Sequence, residues 1–284
     1  MIIHTARNSY LIIGYIKKET QSELCLCENT ENYRRCLVIR IMDLDLIYGS
    51  AGFLYEQAGN RTFTDFEECT VYKEDLLAVF AYPQGQVMEE KLSGEYTGIA
   101  ERLDVVRNIL EKFILQNIPA YFAARCLRPG GVWIKRSGEV SFLYDVTGAE
   151  RGADFSMREV SAALCSLLER LFSEELRKET VPDLKKFLKE LQEDSFSDYM
   201  ELYRRFQEIR QALLELPQET FVIPKTWIFR GWDRIKSFFK PVKKLAAVVL
   251  LVVVLVYMMW TIQTASQPAV SMDLLDYIGT LDIP

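Results

Sequence analysis

Few side chains in this 284-residue chain are equipped for chemistry: there are six cysteines, and the single histidine is His4. One histidine excludes zinc sites that need two or three of them, and its place four residues from the start argues against a Ser-His-Asp triad. Cys25 and Cys27 are separated by one residue, not by the two of a CxxC zinc or redox motif. At strand period both would face the same side, so the pattern predicts core packing. The other cysteines, Cys36, Cys69, Cys126 and Cys165, are widely spaced. All six fall on the side that the charge pattern assigns to the cytoplasm, where thiols stay reduced and no disulfide framework is expected.

That charge pattern centres on residues 245–262, LAAVVLLVVVLVYMMWTI, 18 residues without a charge. A soluble helix would show a polar face within that length, so the block predicts a helix crossing a hydrocarbon layer about 30 Å thick. Seven basic residues and one acid lie between Lys225 and Lys244, whereas three aspartates and no basic residue follow the span. The positive-inside rule then puts residues 1–244 in the cytoplasm, with residues 263–284 as a short outer tail. The net charge of −6 divides into −9 for residues 1–224, +6 for residues 225–244 and −3 for the tail. An acidic body argues against nucleic acid as a partner. The basic stretch, interleaved with Trp227, Phe229, Trp232, Phe238 and Phe239, is either the topology signal alone or also a lipid-facing surface, so lipid contact is expected over 225–262.

In residues 9–82, alternating and β-branched runs (SYLIIGYI, ELCLCEN, RRCLVIRIM, EECTVYK, LLAVFAYP) predict a meander of about five strands. A helix over Leu44–Gln57, bounded by Gly59, interrupts them. From Ile99 the period becomes helical, with Leu103, Val106, Leu110, Phe113 and Ile114 on one face and an end near Asn117–Pro119. A hairpin of VWIK and VSFLYDV turns at Ser137-Gly138. Ser156 and Glu159 then form a capping box, and helices over 182–193 and 198–216 open at Pro182 and Ser197.

Strands with one helix, a long helix, a loop, a hairpin and more helices make up an order that resembles the protein kinase fold. Ala124-Arg125-Cys126-Leu127-Arg128-Pro129-Gly130-Gly131-Val132-Trp133 lines up without gaps on the kinase catalytic loop HRDLKPxNIL. Arg125, Leu127 and Pro129 match, and Arg128 stands for the usual lysine. The resemblance covers roughly residues 9–212. It implies an α+β, two-lobed domain, with a β-rich N-lobe over 1–84 and a helical C-lobe over 85–216. A basic juxtamembrane segment over 217–244, the membrane helix over 245–262 and the tail follow.

The departures fall where a kinase does its chemistry. Cys126 stands at the position of the catalytic Asp and Gly131 at that of the metal-binding Asn. A thiol neither replaces a carboxylate's charge nor ligates magnesium well, since magnesium takes hard oxygen ligands. Only Gly14 appears where the Gly-rich phosphate loop would lie. Val38-Ile39-Arg40 matches the VAIK strand with arginine for lysine, and Glu56 sits near the place of its glutamate partner. Arg40 is then either a remnant that pairs with phosphate or Glu56, or a strand cation without such a role. Tyr144-Asp145-Val146 stands where DFG would be, so Asp145 either reaches a cation or is a plain turn aspartate. Asp154 either braces the loop, as a kinase aspartate does, or is a helix-start charge. Thr147–Asp154 is eight residues long, against about three times that for a kinase activation segment with its anchor.

The resemblance therefore implies a membrane-anchored pseudokinase, a scaffold or signalling module for a cytoplasmic or membrane protein, with no catalytic residues, metal or cofactor. An alternative is an atypical serine/threonine kinase that binds ATP and magnesium through Arg40, Glu56 and Asp145. A further one is a structural subunit of a bacterial membrane complex, since the layout resembles the membrane pseudokinase of type VII secretion. That component carries a sizeable outer domain, whereas about 22 residues follow the span in this chain.

Overall fold

Residues 1–94, 98–177, 181–193, 196–216 and 259–260 are described by a computed structural model of the chain. Two compact units are present, Met1–Val222 and Ile223–Pro284. The basic segment, the expected membrane span and the tail lie outside the described residues, apart from Met259 and Trp260, which are helical and exposed. No helix among the described residues is long and apolar enough to cross a membrane.

The first unit is mixed α+β. Its β-branched runs form six antiparallel strands: β1 (Ile2–His4), β2 (Ser9–Lys18), β3 (Ser22–Asn29), β4 (Arg35–Ile41), β5 (Phe66–Tyr72) and β6 (Asp75–Ala81). Their order in the sheet is β1-β2-β3-β4-β6-β5. The alternating pattern predicts five strands; β1, at three residues, is too short for a period to register. Ile3, Tyr10, Cys25, Cys27, Cys36, Val38, Leu77 and Val79 pack together on one face of the curled sheet. Cys25 and Cys27 thus share a side and a core, as strand period requires. The curl closes through Glu68 on β5, whose carboxylate accepts from Thr5 Oγ1 at 3.1 Å, Asn8 Nδ2 at 3.4 Å and Tyr10 Oη at 2.9 Å.

The other face carries Leu37, Ile39, Ile41, Leu76, Ala78 and Phe80, buried in the main core. On that side α1 (Leu44–Ala58) begins at Asp43, whose side chain accepts from the Leu46 amide at 3.0 Å. β7 (Gln86–Val87) joins the expected hairpin, β8 (Val132–Ile134) and β9 (Val140–Phe142), in a second sheet of order β7-β8-β9. α2 (Met88–Gly94) and α3 (Ile99–Leu115) precede it. On α3 the expected stripe is buried except for Ile114, which is half-buried; Ile109 takes its place, midway between Val106 and Phe113 at helical spacing.

The chain does not run as a loop from Asn117 to the hairpin. Pro119 caps a short helix, α4 (Ala120–Cys126), so the aligned Ala124, Arg125 and Cys126 lie in a helical turn and only Leu127–Gly131 is loop. After β9 comes a single 3-10 stretch, η1 (Ala149–Asp154), entered through Gly148 at φ 80°. The helices α5 (Met157–Leu171), α6 (Ser173–Arg177), α7 (Pro182–Gln192) and α8 (Tyr199–Glu215) complete the unit. The Ser156/Glu159 capping box is formed. Asp198, not Ser197, caps α8; Ser197 instead donates its amide and hydroxyl to Glu201, each at 2.8 Å.

Aromatic side chains tie the sheet to the helical half. Phe66 stacks on Phe80 at 4.3 Å, Phe80 on Tyr144 at 5.0 Å, and Phe63 meets Phe122 of α4 at 5.3 Å. Such ring pairs add directional attraction to the apolar area they bury.

Candidate functional site

The β2–β3 hairpin, the start of α1, the Arg125–Gly131 turn and the Leu143–Glu150 segment surround a cleft of about 640 Å³. That volume suits a small ligand or an inserted side chain. Its apolar wall is Ile16, Leu24, Ile39, Ile41, Leu46 and Leu143, and its charges are Lys17, Arg125 and Arg128 against Glu19, Glu23, Asp145 and Glu150. Glu23 turns its carboxylate to Arg40 on the other face, so the remaining charges of the lining balance, three against three.

Arg125 and Asp145 form the centre of the cleft. The Arg125 side chain is nine-tenths buried in the last turn of α4, and its Nη2 donates to Asp145 Oδ2. Its Nε is buried without a hydrogen-bond partner. Asp145 Oδ1 accepts from the Thr147 amide at 2.9 Å and from the Thr147 hydroxyl at 2.7 Å, which closes a local turn. Burial works to raise the Asp145 carboxyl, but the hydrogen bonds from Arg125 and Thr147 outweigh it and hold the group below the usual carboxylate range. Tyr121 supports the same turn, donating its hydroxyl to Thr147 O at 2.9 Å.

The other aligned residues do not join them. Arg40 alternates with Ile39 and Ile41, which line the cleft, so its side chain leaves by the opposite face of β4. There Nε donates to Asp75 at 2.6 Å and Nη1 to Glu23 at 3.4 Å. Glu56 is exposed on α1, away from the Leu46 and Ser50 that line the cleft. Of the alternatives for Arg40, pairing with Glu56 is not the one seen; its partners are Asp75 and Glu23. Cys126 is wholly enclosed in the core, and burial pushes its thiol far up. It does not line the cleft, where a base would have to stand. Gly131 does line it, but a Cβ at that position would lie 2.3 Å from Cys126 O and 2.9 Å from Cys126 C. The backbone leaves no room for the side chain that a metal-binding asparagine would need. Asp154 is exposed at the end of η1, and the loop is braced instead by Arg170, which donates to Leu127 O at 2.7 Å.

Sequence reasoning missed a polar hub beside the cleft. Tyr144 turns inward and donates its hydroxyl to Asp65 Oδ2 at 2.8 Å. The same carboxylate takes Nζ of Lys112, from α3, at 2.8 Å and Nε2 of Gln116, the residue that caps the C-terminal end of α3, at 3.1 Å. Burial, then the neighbouring Asp65 charge, push the Tyr144 hydroxyl well up, so it stays a donor. The i, i+4 spacing of Lys112 and Gln116 was the only sequence signal. Glycines let η1 lie directly on α1: a Cβ on Gly49 would stand 2.8 Å from Glu150 Cβ, and one on Gly152 would stand 2.5 Å from the Phe53 ring. Comparison with protein-family models and with curated proteins gave no match for the chain.

Proposed function

We propose that this protein is a membrane-anchored pseudokinase, a kinase-like binding scaffold that does not transfer phosphoryl groups. The observation that carries the reading is the state of the cleft. At the positions where the kinase alignment calls for a phosphate-binding cation, a base and a metal-binding amide, the cleft has an arginine that leaves by the other face, an enclosed thiol and a bare glycine. Asp145, the carboxylate of the segment aligned with DFG, is held by Arg125. Phosphoryl transfer depends on positioned charge and metal, and neither is supplied by this arrangement.

On this reading the apolar wall of the cleft and the outer surface of the helical half are what remain for a protein partner, and residues 245–262 hold that partner at the bilayer. Tethering raises the effective concentration without any new contact. The alternative of an atypical kinase receives no support from Arg40 and Glu56, which do not reach the cleft. Thermal-shift measurements on the full chain in detergent, with ATP and either magnesium or manganese, test the choice. No metal-dependent shift and no phosphoryl transfer are expected. A metal-dependent shift that Asp145→Ala abolishes, together with transfer, would overturn the proposal. Affinity capture of the solubilised chain, read by mass spectrometry, then separates a secretion-complex subunit, recovered with a secretion ATPase, from a signalling scaffold, recovered with a kinase or phosphatase.

A further inference from the structure

The Arg125 guanidinium is nine-tenths buried, yet most of its hydrogen-bonding capacity is unused. An arginine side chain carries several N–H donors. Among the described residues, its hydrogen bond is the one from Nη2 to Asp145, and Nε is enclosed without a partner. A buried donor left unmade costs free energy, and a charged one costs more, so such a group calls for a physical cause. Nη1 lies beside Gly148, where an added Cβ would stand 4.0 Å from it, and both residues line the cleft of about 640 Å³. With glycine at 148, at φ 80°, no side chain of that residue covers this end of the guanidinium.

Charge sets how much anion this end can take. Arg128 lies in the same turn as Arg125, its amide bonded to Arg125 O at 3.2 Å. Its side chain lines the cleft, exposed and without an ion pair among the described residues. Arg125 and Arg128 thus stand against a single carboxylate, Asp145, and one positive charge is left over. Lys17 is taken up by Glu19 at 2.6 Å. Glu150 also lines the cleft, but it is exposed on η1, where water and salt screen its charge. A surplus of one charge suits a monoanion and not a polyphosphate, and a planar carboxylate matches the guanidinium fork.

The wall sets the rest of the ligand. Ile16 of β2, Leu24 of β3, Ile39 and Ile41 of β4, Leu46 of α1 and Leu143 are all aliphatic. Tyr144, the aromatic residue of the lining, turns its hydroxyl inward to Asp65 and leaves no ring face for a planar base. One inserted carboxylate side chain would leave most of this wall bare, so an acid with its own aliphatic body fills the cleft better.

We propose that the cleft binds a small aliphatic monocarboxylic acid, its carboxylate on Nη1 of Arg125 beside Arg128 and its chain against the Ile39, Ile41 and Leu143 wall. Such binding rests on the proposed function only in taking the cleft as a binding site, and it leaves the outer surface of the helical half for the protein partner. The full chain in detergent is titrated with hexanoate, neutral hexanamide and acetate, and each variant's melting shift is read against its own ligand-free melt. Hexanoate is expected to bind about tenfold or more tighter than either of the others. Asp145→Asn removes the competing carboxylate and should tighten hexanoate by about threefold or more, an effect that loss of structure would not produce. Arg128→Gln, a change at an exposed side chain, should weaken it by about threefold. Equal response to hexanoate and hexanamide, no response to hexanoate up to roughly 50 mM, or an affinity that neither variant moves overturns the proposal. Tighter binding of acetyl-Leu-Glu-Leu-amide than of hexanoate also overturns it, and assigns the carboxylate to a partner's side chain. A metal-dependent shift with ATP refutes the scaffold reading alone.

Discussion

Replacing Gly131 by alanine tests whether the turn beneath the cleft has room for any side chain. The added Cβ would meet two backbone atoms of Cys126, at 2.3 and 2.9 Å, and Arg128 O at 3.2 Å. No rotamer change relieves a clash with main chain, and the main chain concerned is the last turn of α4, fixed by buried Tyr121, Phe122 and Cys126. The cost is therefore placed at the upper end for overpacking, about 3 kcal/mol. For a cooperative unit of the size of Met1–Val222, this lowers Tm by about 6–12 °C. Gly130→Ala is the matched control. Gly130 sits at φ 79° and a Cβ added there would have nothing within 4 Å, so only left-handed backbone strain is introduced. That strain costs about 1 kcal/mol, or about 2–4 °C. Both variants are melted as full chains in detergent and followed by far-ultraviolet circular dichroism. Gly131→Asn, which introduces the residue that the kinase alignment has at this position, is expected to melt as low as Gly131→Ala and to gain nothing from magnesium. If Gly131→Ala melts within about 2 °C of Gly130→Ala, the turn yields easily and the steric exclusion of a metal-binding side chain is wrong.

Three further outcomes are expected. Tyr144→Phe keeps the ring stack but loses the hydroxyl bond to Asp65, at a cost of about 1 kcal/mol, whereas Asp65→Ala strands Lys112, Gln116 and Tyr144 together and costs about 3 kcal/mol or more; paired melts order the two. The depressed carboxyl of Asp145 contributes stability that is whole above the ordinary carboxylate range and is lost as pH falls through its lowered value. The Tm gap between wild type and Asp145→Asn should accordingly be open at pH 7 and close towards pH 3, and a gap that does not change with pH contradicts the ion pair. Cys126, enclosed and with its thiol pushed up by burial, should resist iodoacetamide at pH 8 until the chain unfolds, as peptide mass spectrometry would show; rapid labelling in the native state would contradict its enclosure.

The strands, the long helices and the capping box were legible because each leaves a local period or a local pair in the sequence. Side-chain direction at the site was not. Cys36-Leu37-Val38-Ile39-Arg40-Ile41 is buried on both faces apart from Arg40, so no alternation marked which face Arg40 takes. Alignment on the kinase motif left two directions open for Arg40, and the register places its side chain on the face opposite the cleft. Arg125 and Asp145 were both singled out, but their pairing bridges 20 residues and leaves no pattern in either segment. Asp65 was invisible for the same reason, since its partners lie 47 to 79 residues further along. Met88–Gly94 and Ala120–Cys126 are single short helices of seven residues, below the length at which a helical period can be read.

What remains legible only in three dimensions is why the cleft should hold one shape. A kinase-like cleft that cycles needs α1 and the segment after the hairpin to move separately. In this chain Gly49 and Gly152 let them interlock, with Glu150 in one notch and Phe53 in the other. Phe53 is itself packed edge-on against Tyr121 at 5.4 Å and stacked on Phe122 at 5.9 Å, so a shift of α1 would disturb the α4 core as well. Asp65 adds a polar tie from the sheet to α3. Close-packed elements move between discrete arrangements and do not deform smoothly, so a shift of α1 against η1 would have to break the Gly49–Glu150 and Gly152–Phe53 contacts. Contacts of this kind lower the reorganisation that binding in the cleft would cost a ligand or partner.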